Sequence, residues 1–70
     1  MSQGPEAREY IELQQALKIA NIVESGGQAK HLIQGGEVIV NGVVETRRRR
    51  KLYPGDIIEV AGEEFHIGDE

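Results

Sequence analysis

The sequence predicts a small α+β domain in which two short helices, in a helix-helix-strand (αL) motif, pack on one side of a small antiparallel β-sheet. Apolar residues recur with helical spacing between residues 13 and 34, and short apolar segments separated by turn residues follow Gly36. The dipeptide Asn41-Gly42 lies between valine-rich segments and is a strong hairpin signal, because both residues tolerate positive φ. The order is therefore helices first, then a meander of short strands.

The first helix follows an ambiguous segment. Residues 8–13 alternate weakly, so they form either a short first strand or the entry to a helix. The apolar residues from Leu13 to Ala20 are spaced i, i+3, i+4 and i+7, which predicts helix one over residues 13–21. Residues 1–7 contain a Gly-Pro pair and are expected to form a flexible N-terminal arm.

Helix two is predicted over residues 26–34. Ser25 is a suitable N-cap, because its hydroxyl can accept a hydrogen bond from a free backbone N–H of the first turn. Gln28 stands three residues later, at the position of a capping-box partner. Gly35 and Gly36 are expected to end the helix, since glycine adopts the left-handed conformation readily.

The strands are short and separated by turns. Pro54-Gly55 predicts a turn, with proline at the position whose φ it presets. No internal repeat interrupts the meander. Strands are predicted around residues 38–40, from residue 43 onward as the return strand of the hairpin, at 57–60 and at 64–67.

Composition excludes several classes of protein. A chain of 70 residues is one domain at most, with little room for a deep pocket beside its core. The absence of cysteine excludes disulfides and thiolate zinc sites. The polar N-terminus has no apolar run that could be a signal peptide or membrane span, so a cytoplasmic protein without membrane contact is expected. No P-loop and no acid–base pair is visible, and His31 and His66 lack metal-ligand spacing, so we expect no enzyme activity and no cofactor.

Positive charge is concentrated in one segment, here called the arginine loop. The formal net charge is −4, yet the loop holds five of the 8 basic residues: Arg47, Arg48, Arg49, Arg50 and Lys51. One hypothesis is a phosphate-binding site, because the planar guanidinium of arginine offers donors that match the oxygens of a phosphate. If the loop is extended, alternate side chains should point to opposite sides. Tyr53 is then the best candidate for stacking on a base. The other hypothesis is a solvated loop that only balances Glu45 and Asp56.

The start of helix two is a second candidate site. Ser25, Gly26 and Gly27 precede or open the helix, and its N-terminal N–H groups carry partial positive charge that suits a phosphate. Lys30 lies about one turn further and could reach the same ligand. Alternatively, Gly26 and Gly27 only allow close packing against helix one.

The spaced motifs together resemble a known family. The segment ALKIANIVESGGQAKHLIQGGEVIVNGVVETRRRRKLYPGDIIEV resembles the RNA-binding domain named after ribosomal protein S4, and in particular the small bacterial members that consist of this domain alone. The resemblance implies a single domain over residues 8–70 with its core motif at 13–60. The residues that carry it are Ser25, Ala29, Leu32, Ile33, Gly36, Val38, Val40, Asn41, Gly42, Gly55, Asp56 and Ile58.

Three departures from the family pattern shift the basic charge. The usual Arg-Leu-Asp at the start of helix one is Glu12-Leu13-Gln14 here, and Gly26 replaces the arginine that usually follows the capping serine. A stretch that often contains proline after Thr46 is replaced by arginines. Charge lost from the helices therefore reappears in the arginine loop.

The resemblance implies a non-catalytic protein that binds structured RNA, ribosomal or tRNA-like, with the ribosome as a further candidate partner. By position, the family's phosphate contacts fall on the start of helix two and on the arginine loop. A monomer is expected, and Arg48→Glu with Arg50→Glu should abolish RNA binding while the fold stays intact. The alternative is a protein–protein adaptor whose arginine loop docks on an acidic partner.

Overall fold

The computed structural model describes residues 10–68. The predicted arm of residues 1–7 lies outside this range. Two helices and six strands follow the expected order, which confirms the α+β class. They are β1 (Ile11–Glu12), α1 (Leu13–Ile19), α2 (Gly26–Gln34), β2 (Val38–Val40), β3 (Val43–Val44), β4 (Lys51–Leu52), β5 (Ile57–Val60) and β6 (Glu63–His66).

The strands form two antiparallel sheets. Four of them form one sheet in the order β3-β2-β5-β6, with Val40 opposite both Val43 and Ile58. The prediction of a simple meander is therefore wrong, because β2 lies between β3 and β5 and the chain crosses from one side of β2 to the other. The other two, β1 and β4, pair separately and place Ile11 opposite Leu52. Strand β4 includes the end of the arginine loop and was not predicted, because two residues carry no detectable alternation.

Helix α1 begins directly after β1, so both interpretations of residues 8–13 hold in part. The Gln15 side chain accepts a hydrogen bond of 2.9 Å from the Glu12 N–H, which satisfies a backbone donor at the helix start. The helix ends at Ile19, two residues before the predicted end, because Ala20 is its C-cap and Asn21 turns to φ 64°.

Helix α2 has the predicted bounds. Ser25 Oγ accepts from the Gln28 N–H at 3.2 Å, as expected of the N-cap. The Gln28 side chain, however, accepts from the N–H of Glu24 at 2.6 Å and not from that of Ser25, so the expected capping box is displaced by one residue. Of the two glycines after the helix, Gly36 alone is left-handed, with φ 80°, whereas Gly35 keeps helical angles.

Two tight hairpins fix the register of the larger sheet. Asn41 (φ 51°) and Gly42 (φ 87°) form the predicted turn of type I′ between β2 and β3. Ala61 (φ 54°) and Gly62 (φ 84°) make a second turn of the same kind between β5 and β6, although alanine rarely adopts positive φ.

The core lies between the helices and the sheets and contains residues from both. Phe65 is half-buried at its edge. At 7 and 9 residues, neither helix of the described range is long enough to cross a bilayer. The buried apolar residues are Leu13, Ala16, Leu17, Val23, Ala29, Ile33, Val38, Val40, Leu52, Ile58 and Val60.

Candidate functional site

The backbone of the arginine loop is folded onto the start of α1. The Arg50 N–H donates to the Arg47 carbonyl at 3.4 Å, which closes a turn. Two further carbonyls accept from the first N–H groups of the helix: Arg50 from Leu13 at 2.9 Å and Arg48 from Gln14 at 3.0 Å. These N–H groups have no partner within a helix, so the loop supplies the cap that they need. The loop is therefore not extended, and the condition for alternating side chains is not met.

Glu45 lies at the centre of the loop's ion pairs. Its side chain is only 9% exposed and binds two arginines: Arg47 through Nε at 2.9 Å and Nη2 at 3.1 Å, and Arg50 through Nη1 at 2.9 Å. The backbone N–H of Arg47 also donates to it at 2.9 Å. The Arg47 side-chain hydrogen bond, helped by the backbone bond and by Arg50 and opposed by burial, lowers the Glu45 pKa from 4.5 to about 2.

A second carboxylate holds a third arginine. Glu12 Oε2 accepts from Arg49 Nε at 3.2 Å, and Glu12 Oε1 accepts from Gln14 Nε2 at 2.9 Å. The Glu12 pKa is lowered, first by the Gln14 hydrogen bond and then by Arg49, against the effect of burial. The positive charge at the start of α1 therefore comes from the arginine loop and not from the helix itself.

The hypothesis of a merely balanced loop accounts for only part of the charge. Five cations face two carboxylates, which leaves three positive charges. Asp56 does not pair with the loop; it accepts from the Tyr53 N–H at 2.8 Å and from Asn41 Nδ2 at 3.1 Å. Within residues 10–68, Arg48 is exposed and has no ion-pair partner. The five loop residues line an open depression of about 650 Å³.

Aromatic rings adjoin the end of the loop. Lys51 Nζ lies 4.9 Å from the centroid of the Tyr10 ring, within the range of a cation–π contact. The Tyr10 and Tyr53 rings are tilted by 51°, with centroids 5.9 Å apart. Tyr10 is 42% exposed, whereas Tyr53, the predicted stacking residue, is half-buried. Tyr53 was predicted in preference to Tyr10, because the place of Tyr10 beside the loop depends on the unpredicted pairing of β1 with β4.

The start of α2 is open, so the packing interpretation of its glycines is wrong. A Cβ at Gly26 would meet no atom within 4 Å, and one at Gly27 would meet only Ser25 Oγ, at 3.8 Å. Neither glycine has positive φ, and their N–H groups have no partner among residues 10–68. Lys30 is exposed one turn further along. In the described part of the chain, no hydrogen bond or ion pair joins this region to the arginine loop.

Comparison of the sequence with known proteins identifies the family of this chain. The model of the S4 domain matches residues 6–68. The chain belongs to the S4 domain family. One relative in that family is "Probable ribosome maturation protein RlbA" of Bacillus subtilis (strain 168), 48% identical over 54 residues, or 77% of this chain and 76% of the relative. Another is YbcJ of Escherichia coli (strain K12), provisionally named as RNA-binding, 41% identical over 58 residues and 83% of each chain.

These matches confirm the resemblance drawn from the spaced motifs. The relatives are about as long as this chain, so the likeness is to small S4 proteins and not to a segment of a large enzyme. The motifs missed Glu12, which holds Arg49 in this S4 domain. Glu45 was expected only to balance the charge of the loop, but it also binds Arg47 and Arg50.

Proposed function

We propose that this protein is a non-catalytic RNA-binding protein that holds structured RNA through its phosphates. The arginine loop is the main contact, and the start of α2, with Ser25, Gly26, Gly27 and Lys30, is the second. Membership of the S4 domain family supports RNA as the ligand, as does the name of the Escherichia coli relative. The name of the Bacillus subtilis relative supports ribosomal RNA, bound during maturation of the ribosome.

The proposal depends mainly on one observation: carboxylates and backbone hydrogen bonds hold the arginine loop in a defined conformation. Glu45 occupies some of the donors of Arg47 and Arg50, and each guanidinium has five, so others are left for a phosphate. Side chains that are already ordered lose less conformational entropy on binding. Arg48 is exposed beside them and has no ion pair in residues 10–68, so a phosphate can bind it without breaking one.

The acidic remainder of the chain limits where a polyanion can bind. Outside the arginine loop, three basic residues face 12 acidic ones. A local positive patch on a negative molecule attracts RNA to one face and repels it from the others. The shape of a folded RNA backbone, more than its sequence, is what such a patch can recognise. We take the protein to act as a cytoplasmic monomer.

Arg48→Gln is the sharpest test of the loop. The double variant Arg48→Glu with Arg50→Glu is less suitable than the sequence suggested. Because Arg50 binds buried Glu45, Arg50→Glu would place a second carboxylate beside it, and we no longer expect the fold to stay intact. The matched control is Lys18→Gln, which removes the same charge from an exposed position on α1. We expect Arg48→Gln to weaken binding to ribosomal RNA and to lower the salt dependence of log K by about one phosphate contact, while Lys18→Gln leaves both nearly unchanged.

The bound RNA can be identified by recovering and sequencing the RNA that stays bound to the protein. Purified protein is mixed with total cellular RNA at a low and a high salt concentration, and the retained RNA is sequenced. We expect a defined ribosomal fragment that Arg48→Gln loses. No retained RNA at the low salt concentration would overturn the proposal and favour the adaptor, for which a pull-down would then seek an acidic protein partner.

A further inference from the structure

An apolar cleft opens beside the arginine loop. Its walls are fixed by backbone hydrogen bonds, since Ile11 pairs with Leu52 across the small sheet and the Gly55 N–H donates to the Ile67 carbonyl at 3.0 Å. Its volume is about 430 Å³, within the range of clefts that hold small organic ligands. The lining residues are Tyr10, Ile11, Leu52, Pro54, Ile67 and Gly68.

Tyr10 connects this cleft to the positive charge. Its ring lines the cleft and is 42% exposed, while the Lys51 ammonium lies 4.9 Å from the ring centroid. An exposed aromatic ring, an apolar cleft and a loop of arginines therefore lie next to one another. This combination matches the parts of one nucleotide, whose flat base and charged phosphate are separated by a sugar.

We propose that Tyr10 and the adjoining cleft bind an unpaired nucleobase of an RNA whose phosphates lie on the arginine loop. The proposal rests on the function proposed above and adds a base-binding subsite to it. An apolar side chain of a protein partner could also fill the cleft. A nucleotide is favoured because it uses the cations at the border of the cleft as well as its apolar walls.

Lys51 links the two halves of the subsite. In the free protein its ammonium lies over the Tyr10 ring. A phosphate attracts the ammonium more strongly than a ring does, because it carries a full negative charge. When RNA binds, Lys51 moves to the phosphate, and the base takes its place against Tyr10.

The test compares two RNA hairpins that differ only in a single-stranded 3′ tail. One tail is uridine and the other is abasic, so both carry the same phosphates. We expect the wild-type protein to bind the uridine-tailed hairpin about tenfold more tightly, which lies within the range for one base stacked on an aromatic ring. Tyr10→Leu should abolish this preference, and Tyr10→Phe should retain it. Arg48→Gln should weaken both hairpins alike.

Tyrosine emission gives an independent measurement. The chain has two tyrosines and no tryptophan, so in Tyr53→Phe all tyrosine emission comes from Tyr10. The uridine-tailed hairpin should quench this emission, and the abasic one should leave it nearly unchanged.

The outcomes separate the two proposals. Equal wild-type affinities for the two tails, together with weaker binding by Arg48→Gln, would overturn the base subsite and leave the arginine loop in place. Equal losses for both hairpins in Tyr10→Leu would show that Tyr10 only supports Lys51, and would also overturn it. Binding of neither hairpin at low salt would overturn the subsite and the proposed function together.

Discussion

Replacing Glu45 with glutamine should destabilise the protein and do so in a pH-dependent way. Glu45 is the buried carboxylate that binds Arg47 and Arg50, and it also accepts from a backbone N–H. Glutamine keeps the size of the side chain but removes its charge. The variant therefore tests whether the ion pairs, and not the shape alone, hold the arginine loop in place.

The magnitude follows from the pKa of Glu45. A fall from 4.5 to about 2 corresponds to about 3.4 kcal/mol as an upper limit, at 1.36 kcal/mol per unit. Water screens the pair, because the Arg47 side chain is 72% exposed, so we expect a loss of about 1–2 kcal/mol in the free energy of unfolding. For a domain of this size, each kcal/mol lowers Tm by about 4–8 °C.

The pH dependence has a definite sign. The pKa of Glu45 is lower in the folded than in the unfolded protein, so its stabilisation is complete above the ordinary value of 4.5 and is lost as pH falls towards 2. The difference between wild type and Glu45→Gln should therefore be largest at pH 7 and clearly smaller at pH 3.

The assay is urea unfolding followed by circular dichroism at pH 7 and at pH 3. Glu37→Gln is the matched control, because it removes the same charge from an exposed residue without an ion pair in the described chain. Equal stability of wild type and Glu45→Gln at pH 7 would refute the reasoning. So would a difference of the same size at both pH values, because that would be an effect of shape.

Two further predictions concern the start of α2 and the second hairpin. Gly26→Asp should leave the fold intact, because a Cβ there meets no atom within 4 Å, yet it should weaken binding to ribosomal RNA by placing a carboxylate where a phosphate would lie; unchanged affinity would remove this patch from the site. Ala61→Asn should raise Tm by a few degrees, since asparagine tolerates the φ of 54° better than alanine, and an unchanged or lower Tm would contradict this account.

The elements that the sequence predicts well are those with local signals. The bounds of α2 are set by Ser25 and by the glycines that follow it, all within a few residues of the helix ends. Likewise, Asn41-Gly42 determines its hairpin through the φ values of two adjacent residues. In both cases the conformational preference of the residues and the packing of the core favour the same structure.

The role of Glu12 could not be predicted, because it depends on a contact between distant parts of the chain, whereas Glu45 is close in sequence to the arginines that it binds. Glu12 and Arg49 are 37 positions apart, and they meet only because β1 pairs with β4. Each of these strands has two residues, too few to show a period of two. The same pairing brings Tyr10 to Lys51, so one undetectable contact accounts for both missed features.

The two carboxylates explain how consecutive like charges can form one ordered surface. Arginines in sequence repel one another, and alone they would spread into solvent. Glu45 draws Arg47 and Arg50 to one point, Glu12 fixes Arg49, and the backbone between them caps α1. The acids thus reduce the total charge of the loop but fix its geometry. If charge alone determined affinity, Glu45→Gln, which adds one net positive charge to the loop, would bind ribosomal RNA more tightly. If geometry determines it, as we propose, the same variant binds more weakly.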